Sequence, residues 1–421
     1  MLGKANTMLK KQELSILLFG LIALVAMVII FNKPPLYDEP YYLENVPLLH
    51  QYGLSKAYLM HHIGSAGPLH PVLHYLLEPV TQLQMPYIRL VNIGLLLGAV
   101  FFLGLTLKLL NFSGSYALCV FAIPMTYTIS GLALTEIPAI FFFSAGVYLI
   151  IKTSSTHASN PTAIIQLLAG GFFIGLAIIG RQPYLLTLAA LPVLFWNKKN
   201  YIRSSILLLL TLVSSLALPC YVFYVWNGLV APMDSNVYED LAKQGILLRP
   251  DFFLLCLAYF SIIFILIAPG LFILPGKRQT LLLLLTYILL VAVNYQLGVI
   301  KFLPVTSLII KIIPAQYIPI AEVLFGAGLA LMAIYFLASL FRQLHSKAYP
   351  KELVFFSVTA LLIAFSCIKI TWGFSSRYAA QAIPMLIPIG AYFFKKNNYS
   401  VYQIAAGVIL GLMSFATYII D

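Results

Sequence analysis

The chain has 421 residues, of which 61% are hydrophobic and only 9% charged. Soluble domains carry about a quarter charged residues, so the composition excludes a sizeable water-soluble domain and predicts a single membrane domain over 1–421. The net charge of +12 does not point to nucleic acid, because Lys and Arg lie in small groups between apolar runs rather than in a basic stripe interleaved with exposed aromatics.

The apolar runs are about twenty residues long, enough to cross a bilayer core at roughly 1.5 Å rise per residue. In chain order they predict transmembrane helices over 14–31, 88–107, 114–130, 137–151, 162–180, 184–196, 204–226, 252–274, 280–300, 320–341, 353–370, 380–394 and 401–420. The predicted fold class is therefore an all-α polytopic membrane protein with about 13 transmembrane helices. Lys4, Lys10 and Lys11 precede the first run, Leu14 to Phe31. That run is longer than a signal-peptide core and has no small-residue cleavage site, so it is expected to stay as the first helix.

Between helices 1 and 2, the stretch 32–87 carries His61, His62, His70, His74 and Glu78, and its portion 71–83 is too short to span and reads as an interfacial helix. A second polar segment, 227–251, holds Asp234, Glu239, Asp240, Lys243 and Arg249, and a third, 301–319, holds Lys301 and Lys311. With the N-terminus cytoplasmic, fifteen of the 25 basic residues fall at inner ends, including the pairs Lys10-Lys11, Lys198-Lys199, Lys277-Arg278 and Lys395-Lys396. Of the 13 acids only Glu13 and Glu352 do. Topology rules account for the first bias but not the second, so the outer carboxylates suggest chemistry on that face. Cys119, Cys220, Cys256 and Cys367 all fall inside apolar runs without metal-ligand spacing and read as small core residues.

Tyr37-Asp38-Glu39-Pro40-Tyr41-Tyr42 follows the first helix. Two adjacent carboxylates repel each other and need a cation, a solvated position or a shared proton; a hydrophilic stop after a helix accounts for them equally well. An Asp-Glu pair after helix 1, a His-Pro (His70-Pro71) late in the following loop and an Arg-Leu (Arg89-Leu90) opening helix 2 resemble the GT-C superfamily of integral membrane glycosyltransferases. That superfamily includes the protein O-mannosyltransferases and the bacterial aminoarabinose transferases. The ordered set Asp38-Glu39, Arg89-Leu-Val-Asn92, Thr135-Glu136 and Gly180-Arg181-Gln182 is most similar to dolichyl-phosphate-glucose α-1,2-glucosyltransferases. The resemblance covers about 33–190, departs at Pro183 and Tyr184, and divides the chain into a catalytic-like module (1–200) and more variable helices (201–421).

The resemblance implies inverting transfer of a sugar from a polyprenyl-phosphate donor to an acceptor hydroxyl on the extracytoplasmic face. Asp38 matches the family's general base and Glu39 would orient it or the acceptor; proton removal from an attacking hydroxyl asks for such a carboxylate. The departing lipid phosphate needs Arg or Lys donors. Candidates are Arg181, in a tight break between helices 5 and 6, and Arg377, in an Arg377-Tyr378 pair that recurs late in the superfamily. Snorkelling to lipid head groups explains both arginines as well. Lys301, Lys311 and Lys369 are weaker candidates. Glu136 matches a second acidic site of the family, although Thr135, Glu136 and Pro138 also suit the capped first turn of a helix.

His70 and His74 have i,i+4 spacing, but no Asp or Glu completes a compact set with His61 and His62, so no metal site is predicted and His70 is read as a substrate contact. No cofactor is expected, with a divalent cation left open. The expected partners are the donor, a lipid-linked, glycan or protein acceptor, and membrane lipids, without nucleic acid. The short loops suggest a bacterial inner membrane, or an endoplasmic reticulum membrane in a eukaryote. The rival reading is a lipid-linked-sugar flippase or other transporter, which would place charges along a path near the bilayer midplane. A membrane scaffold would leave the paired carboxylates unexplained.

Overall fold

Backbone groups inside a bilayer have no water to bond, so a spanning segment must satisfy them internally, and helices do so. The computed structural model describes residues 8–155, 161–196, 201–233, 248–272, 275–298, 313–346, 349–369, 373–394 and 400–420, and no strand occurs among them. Helix α1 (Lys11–Ile30) leads into four short helices, α2 (Glu39–Leu43), α3 (Asn45–Tyr52), α4 (Lys56–His61) and α5 (Leu69–Thr81). Next come α6 (Tyr87–Leu109), a 3-10 segment Gly114–Ala122 continued by α7 (Pro124–Gly131), α8 (Glu136–Ser155) and α9 (Pro161–Gly180). A second 3-10 segment, Gln182–Ala190, runs into α10 (Leu191–Phe195), and α11 (Tyr201–Trp226) follows. The later helices are α12 (Pro250–Ile267), α13 (Lys277–Leu297), α14 (Ile318–Ser346), α15 (Lys351–Ser366), α16 (Ser376–Ala380), α17 (Ile383–Phe393) and α18 (Ser400–Ile419).

Among the described residues ten helices, not thirteen, are long and apolar enough to cross a membrane. The three expected spans that differ, 114–130, 184–196 and 380–394, are each interrupted. Ile123, which precedes Pro124, is extended (φ −93°, ψ 111°), as the clash of a proline ring with the residue before it favours. Pro183, Pro192 and Pro384 open the other short pieces. These segments can be irregular because protein surrounds them: Cys119 to Ile123 and Ile383 to Ile387 are fully buried. Helix α13 is the opposite case, exposing leucines along its length as a lipid-facing helix does.

Two close approaches set the bundle around the site. A Cβ on Gly146 of α8 would come within 2.7 Å of the Gly170 carbonyl of α9, so these helices touch backbone to backbone. A side chain on Gly67 would collide with the Ile179 carbonyl at the end of α9, which brings the α4–α5 connection directly onto that helix end. The same connection is held by Gln182 Nε2 donating to Ser65 O (2.5 Å), and α4 just before it by Trp226 Nε1 donating to Leu59 O (2.8 Å). Asn45 clamps it internally, exchanging two 2.8 Å hydrogen bonds with the Ile63 backbone. The predicted interfacial helix is α5, and it begins at Leu69 so that it includes His70.

Elsewhere, Glu13 is fully buried, accepting from Lys10 N (2.7 Å) and from Ser400 Oγ, which ties α1 to α18. Asp234, Glu239, Asp240, Lys243, Lys301, Lys311, Lys4, Lys198, Lys199, Lys347, Lys395 and Lys396 lie outside the described residues.

Candidate active site

The chain leaves α1 and turns at Tyr37, whose φ of 54° is left-handed, a region few non-glycine residues adopt; its ring rests on Tyr418 (4.5 Å). Asp38 then takes the N-cap position of α2 without capping it, so its carboxylate is free to reach elsewhere. One residue on, a helical step of about 100° sends Glu39 to another side. The adjacent acids thus part company, and each finds its own arginine.

Glu39 is fully buried against Arg89, which is also fully buried. Arg89 Nε donates to Oε1 (2.9 Å) and Nη2 to Oε2 (2.6 Å), a two-pronged pair. Ala133 N adds a 2.6 Å bond to Oε1 and Leu36 N another to Oε2, also 2.6 Å. Arg89 also donates from Nη1 to Lys33 O (3.2 Å) and from Nη2 to Pro34 O (3.1 Å). Glu39 therefore has no acceptor capacity facing a substrate. It pins the start of α2, and with it Asp38, to α6 and to the turn before α8. Asn92, the last residue of the Arg89-Leu-Val-Asn92 motif, fastens the same turn by donating to Leu132 O and Leu134 O, each at 3.0 Å.

Asp38 pairs with Arg377 of α16, whose Nη1 donates to Oδ2; the two side chains are 42% and 22% exposed, so this pair borders solvent. Behind it sits Glu136, the first residue of α8 and fully buried. Arg181 Nη2 lies 3.0 Å from Glu136 Oε1, and Arg377 Nε lies 3.7 Å from the same oxygen. Neither contact has hydrogen-bond alignment, and both Glu136 oxygens are without a hydrogen-bond donor. The helix-capping role open to Glu136 in the sequence is thus not one its oxygens perform; it serves as a counter-ion between two guanidinium groups. Thr135 Oγ1 accepts from Arg181 Nη1 at 3.2 Å. Tyr378 lies near both arginines, whose Cζ atoms are 6.0 Å (Arg181) and 5.9 Å (Arg377) from its ring centre.

Tyr42, one turn beyond Asp38, is buried beside these four charged groups. Burial raises its pKa, Glu136 and Asp38 add to the rise, and Arg377 and Arg181 partly oppose it, so the hydroxyl stays protonated near neutrality. Its ring lies 5.8 Å from that of His70, which meets His74 edge-on at 4.4 Å. Burial holds His74 down at about 4 and His70 well below its usual range, so both are neutral; no hydrogen bond of standard geometry reaches any of their four ring nitrogens. His70 therefore lies one layer behind the charged cluster. His61 and His62 point elsewhere: His61 stacks on Tyr52 (4.8 Å), and His62 stacks on Trp226 (5.7 Å). Among the described residues no three His, Cys, Asp or Glu side chains converge as a metal site would need. Lys369 is exposed.

The structure thus brings Asp38, Glu136, Arg181, Arg377 and Tyr378 together, places His70 beside them and turns Glu39 away. Arg89, Thr135 and Tyr42 join the assembly without having been singled out as site residues. Arg89 had a signal in its place within a family motif, and Tyr42 had one in its single-turn spacing from Asp38. Chemically, the cluster offers a solvent-bordering carboxylate for a proton and two guanidinium groups for an anion, with the formal charges of two acids and two arginines balanced.

Residues 37–231, just under half the chain, match the family of dolichyl-phosphate-mannose-protein mannosyltransferases. No curated protein matches the chain. Among solved structures, it is similar to the oligosaccharyltransferase of Archaeoglobus fulgidus, solved in complex with zinc and sulfate, at 13% identity and a TM-score of 0.35. That alignment covers 91% of this chain and 54% of the other, so this chain spans about half the length of the solved one. The segment that carries the charged cluster's first three members is the segment the family matches, and the chain is a multi-pass helical membrane protein resembling the GT-C glycosyltransferases.

Proposed function

We propose that the protein transfers a sugar from a polyprenyl-phosphate donor to an acceptor hydroxyl, with inversion, on the extracytoplasmic side of the membrane. Asp38 accepts the hydroxyl proton as the acceptor oxygen attacks the anomeric carbon. The bond from that carbon to the phosphate oxygen breaks, and the lipid phosphate leaves with its growing charge held by Arg377 and Arg181. Glu136 keeps the two arginines in place, Tyr378 offers them an aromatic face, and Tyr42 closes the side toward α5 with His70 packed behind it. Glu39 and Arg89 hold Asp38 in position.

The observation that carries this reading is the meeting of Asp38 with Arg377 at the helix ends, a proton acceptor beside an anion-binding group at one end of the bundle. A transport path would instead place charges through the bilayer's depth. The placement of basic pairs supports a cytoplasmic N-terminus, and short connections support a bacterial inner membrane. The test is sugar transfer by purified protein in detergent, wild type beside Asp38→Asn. The amide keeps the shape and removes proton acceptance, so turnover is expected to fall by roughly a hundredfold to ten-thousandfold. Full activity in the variant would remove Asp38 as the base. Silence of the wild type across polyprenyl-phosphate donors, accompanied by lipid translocation in vesicles, would move the assignment to a flippase.

A further inference from the structure

The residue that accepts the proton and the residue that holds the phosphate are bonded to each other: Arg377 Nη1 donates to Asp38 Oδ2. Each partner occupies the other's working group. The neighbouring pair, Glu136 with Arg181, is sealed, with side chains 0% and 8% exposed, whereas the Asp38–Arg377 pair is the one that borders solvent. An anion approaching the cluster meets Arg377 before anything behind it. Arg377 is also held from its other edge, since Nε faces Glu136 Oε1 at 3.7 Å, so losing Asp38 would not set the guanidinium adrift. Arg181 Nε and Arg377 Nε are buried without hydrogen-bond partners, and so are both Glu136 oxygens, which leaves the cluster short of hydrogen bonds as it stands. A phosphate has the oxygens to satisfy two guanidinium forks; a single aspartate does not.

We propose that the Asp38–Arg377 ion pair is a resting lock, opened when the phosphate of an incoming lipid-phosphate donor takes Arg377 from Asp38. The proton-accepting carboxylate is released only once a donor is in place, so the donor binds before the acceptor. This rests on the donor class proposed above. The competition has a sign that a merely structural ion pair lacks: removing the charge of Asp38 removes a rival for Arg377 and tightens phosphate binding. If Asp38 instead aligned Arg377 for the phosphate, removing it would weaken binding.

The experiment measures binding of undecaprenyl phosphate, which carries no sugar, to full-length protein by native mass spectrometry. It compares wild type, Asp38→Asn and Glu44→Gln. Glu44 is a nearby exposed acid and serves as the control for a general change of field. Asp38→Asn is expected to bind about tenfold more tightly, equivalent to about 1.4 kcal/mol, with Glu44→Gln within about twofold of wild type. Should the asparagine variant fail to fold, Asp38→Ser is read in the same way. Unchanged or weaker binding by the Asp38 variants, or equal tightening by Glu44→Gln, overturns the lock and leaves the donor class standing. Absence of saturable binding in wild type and variants alike overturns the donor class, and the lock with it.

Discussion

Glu39→Gln should damage the fold rather than the chemistry. The carboxylate accepts four hydrogen bonds in a fully buried position, two from Arg89 at 2.9 and 2.6 Å and one each from Ala133 N and Leu36 N at 2.6 Å. A glutamine must put its NH2 where one oxygen was. At the Oε1 site it would face Arg89 Nε and Ala133 N; at the Oε2 site, Arg89 Nη2 and Leu36 N. Either way two donors confront a donor, and Arg89 is left as a buried cation without its counter-ion. Removing one partner of a buried pair costs about 3–5 kcal/mol. At about 2 °C per kcal/mol, the figure for larger soluble domains, the unfolding midpoint should fall by roughly 6–10 °C. Asp38→Asn, at a pair bordering solvent, should shift it little, since such pairs contribute about 0–1 kcal/mol. Arg89→Gln should resemble Glu39→Gln, and the double variant should cost less than the sum because neither charge is then stranded. The assay is thermal unfolding in detergent, with hydrogen exchange over residues 33–62 to detect local release of the α2–α4 segment. A Glu39→Gln protein with wild-type midpoint and exchange, yet as inactive as Asp38→Asn, would refute the argument and place Glu39 in the chemistry.

Arg377→Lys replaces a planar fork with a point charge; with about 1.5–3 kcal/mol at stake in a charge-assisted contact, donor kcat/KM should fall by about tenfold to a hundredfold, and unchanged donor kinetics in a folded variant would take Arg377 out of the site. Stability should fall on acidification: burial lowers His62 and His74 to about 4. Below about 6.5 the unfolded chain gains protons that the folded one does not, so stability is complete above that pH and drains away between 6.5 and 4, by up to about 3 kcal/mol per histidine. Midpoints recorded against pH should show this loss, and His74→Phe should flatten it; an equally steep loss in that variant would show that other groups are responsible. Single cysteines at positions 38 and 377 should react with a membrane-impermeant thiol reagent from outside intact cells and one at 277 should not, and external labelling at 277 would reverse the orientation.

The long spans were legible because helices crossing a bilayer show themselves as apolar runs, and α1, α6, α9 and α11 match their predicted ranges to within a few residues. The interrupted segments were not, since a run such as 114–130 is equally apolar whether it forms one helix or a 3-10 segment followed by α7. Proline marks the breaks, but proline is also tolerated inside membrane helices, so composition alone does not decide. In the site, the residue types were legible and their pairing was not. Asp38 and Glu39 are neighbours whose different fates depend on partners 339 and 50 positions away, Arg377 and Arg89, which no local pattern connects to them. Glu136 read both as an acid of a helix's first turn and as the family's second acidic site; only the packing of α9 and α16 beside it reveals the two arginines.

The 339-residue separation of Asp38 and Arg377 also bears on how the protein is made. Membrane helices are inserted as they emerge from the ribosome, so Asp38 reaches its side of the bilayer long before its partner is synthesised. A chain stalled or cleaved anywhere between α2 and α16 carries Asp38 and lacks Arg377. Because these two groups lie so far apart along the polypeptide, the activity proposed above would require chains whose insertion has run past both.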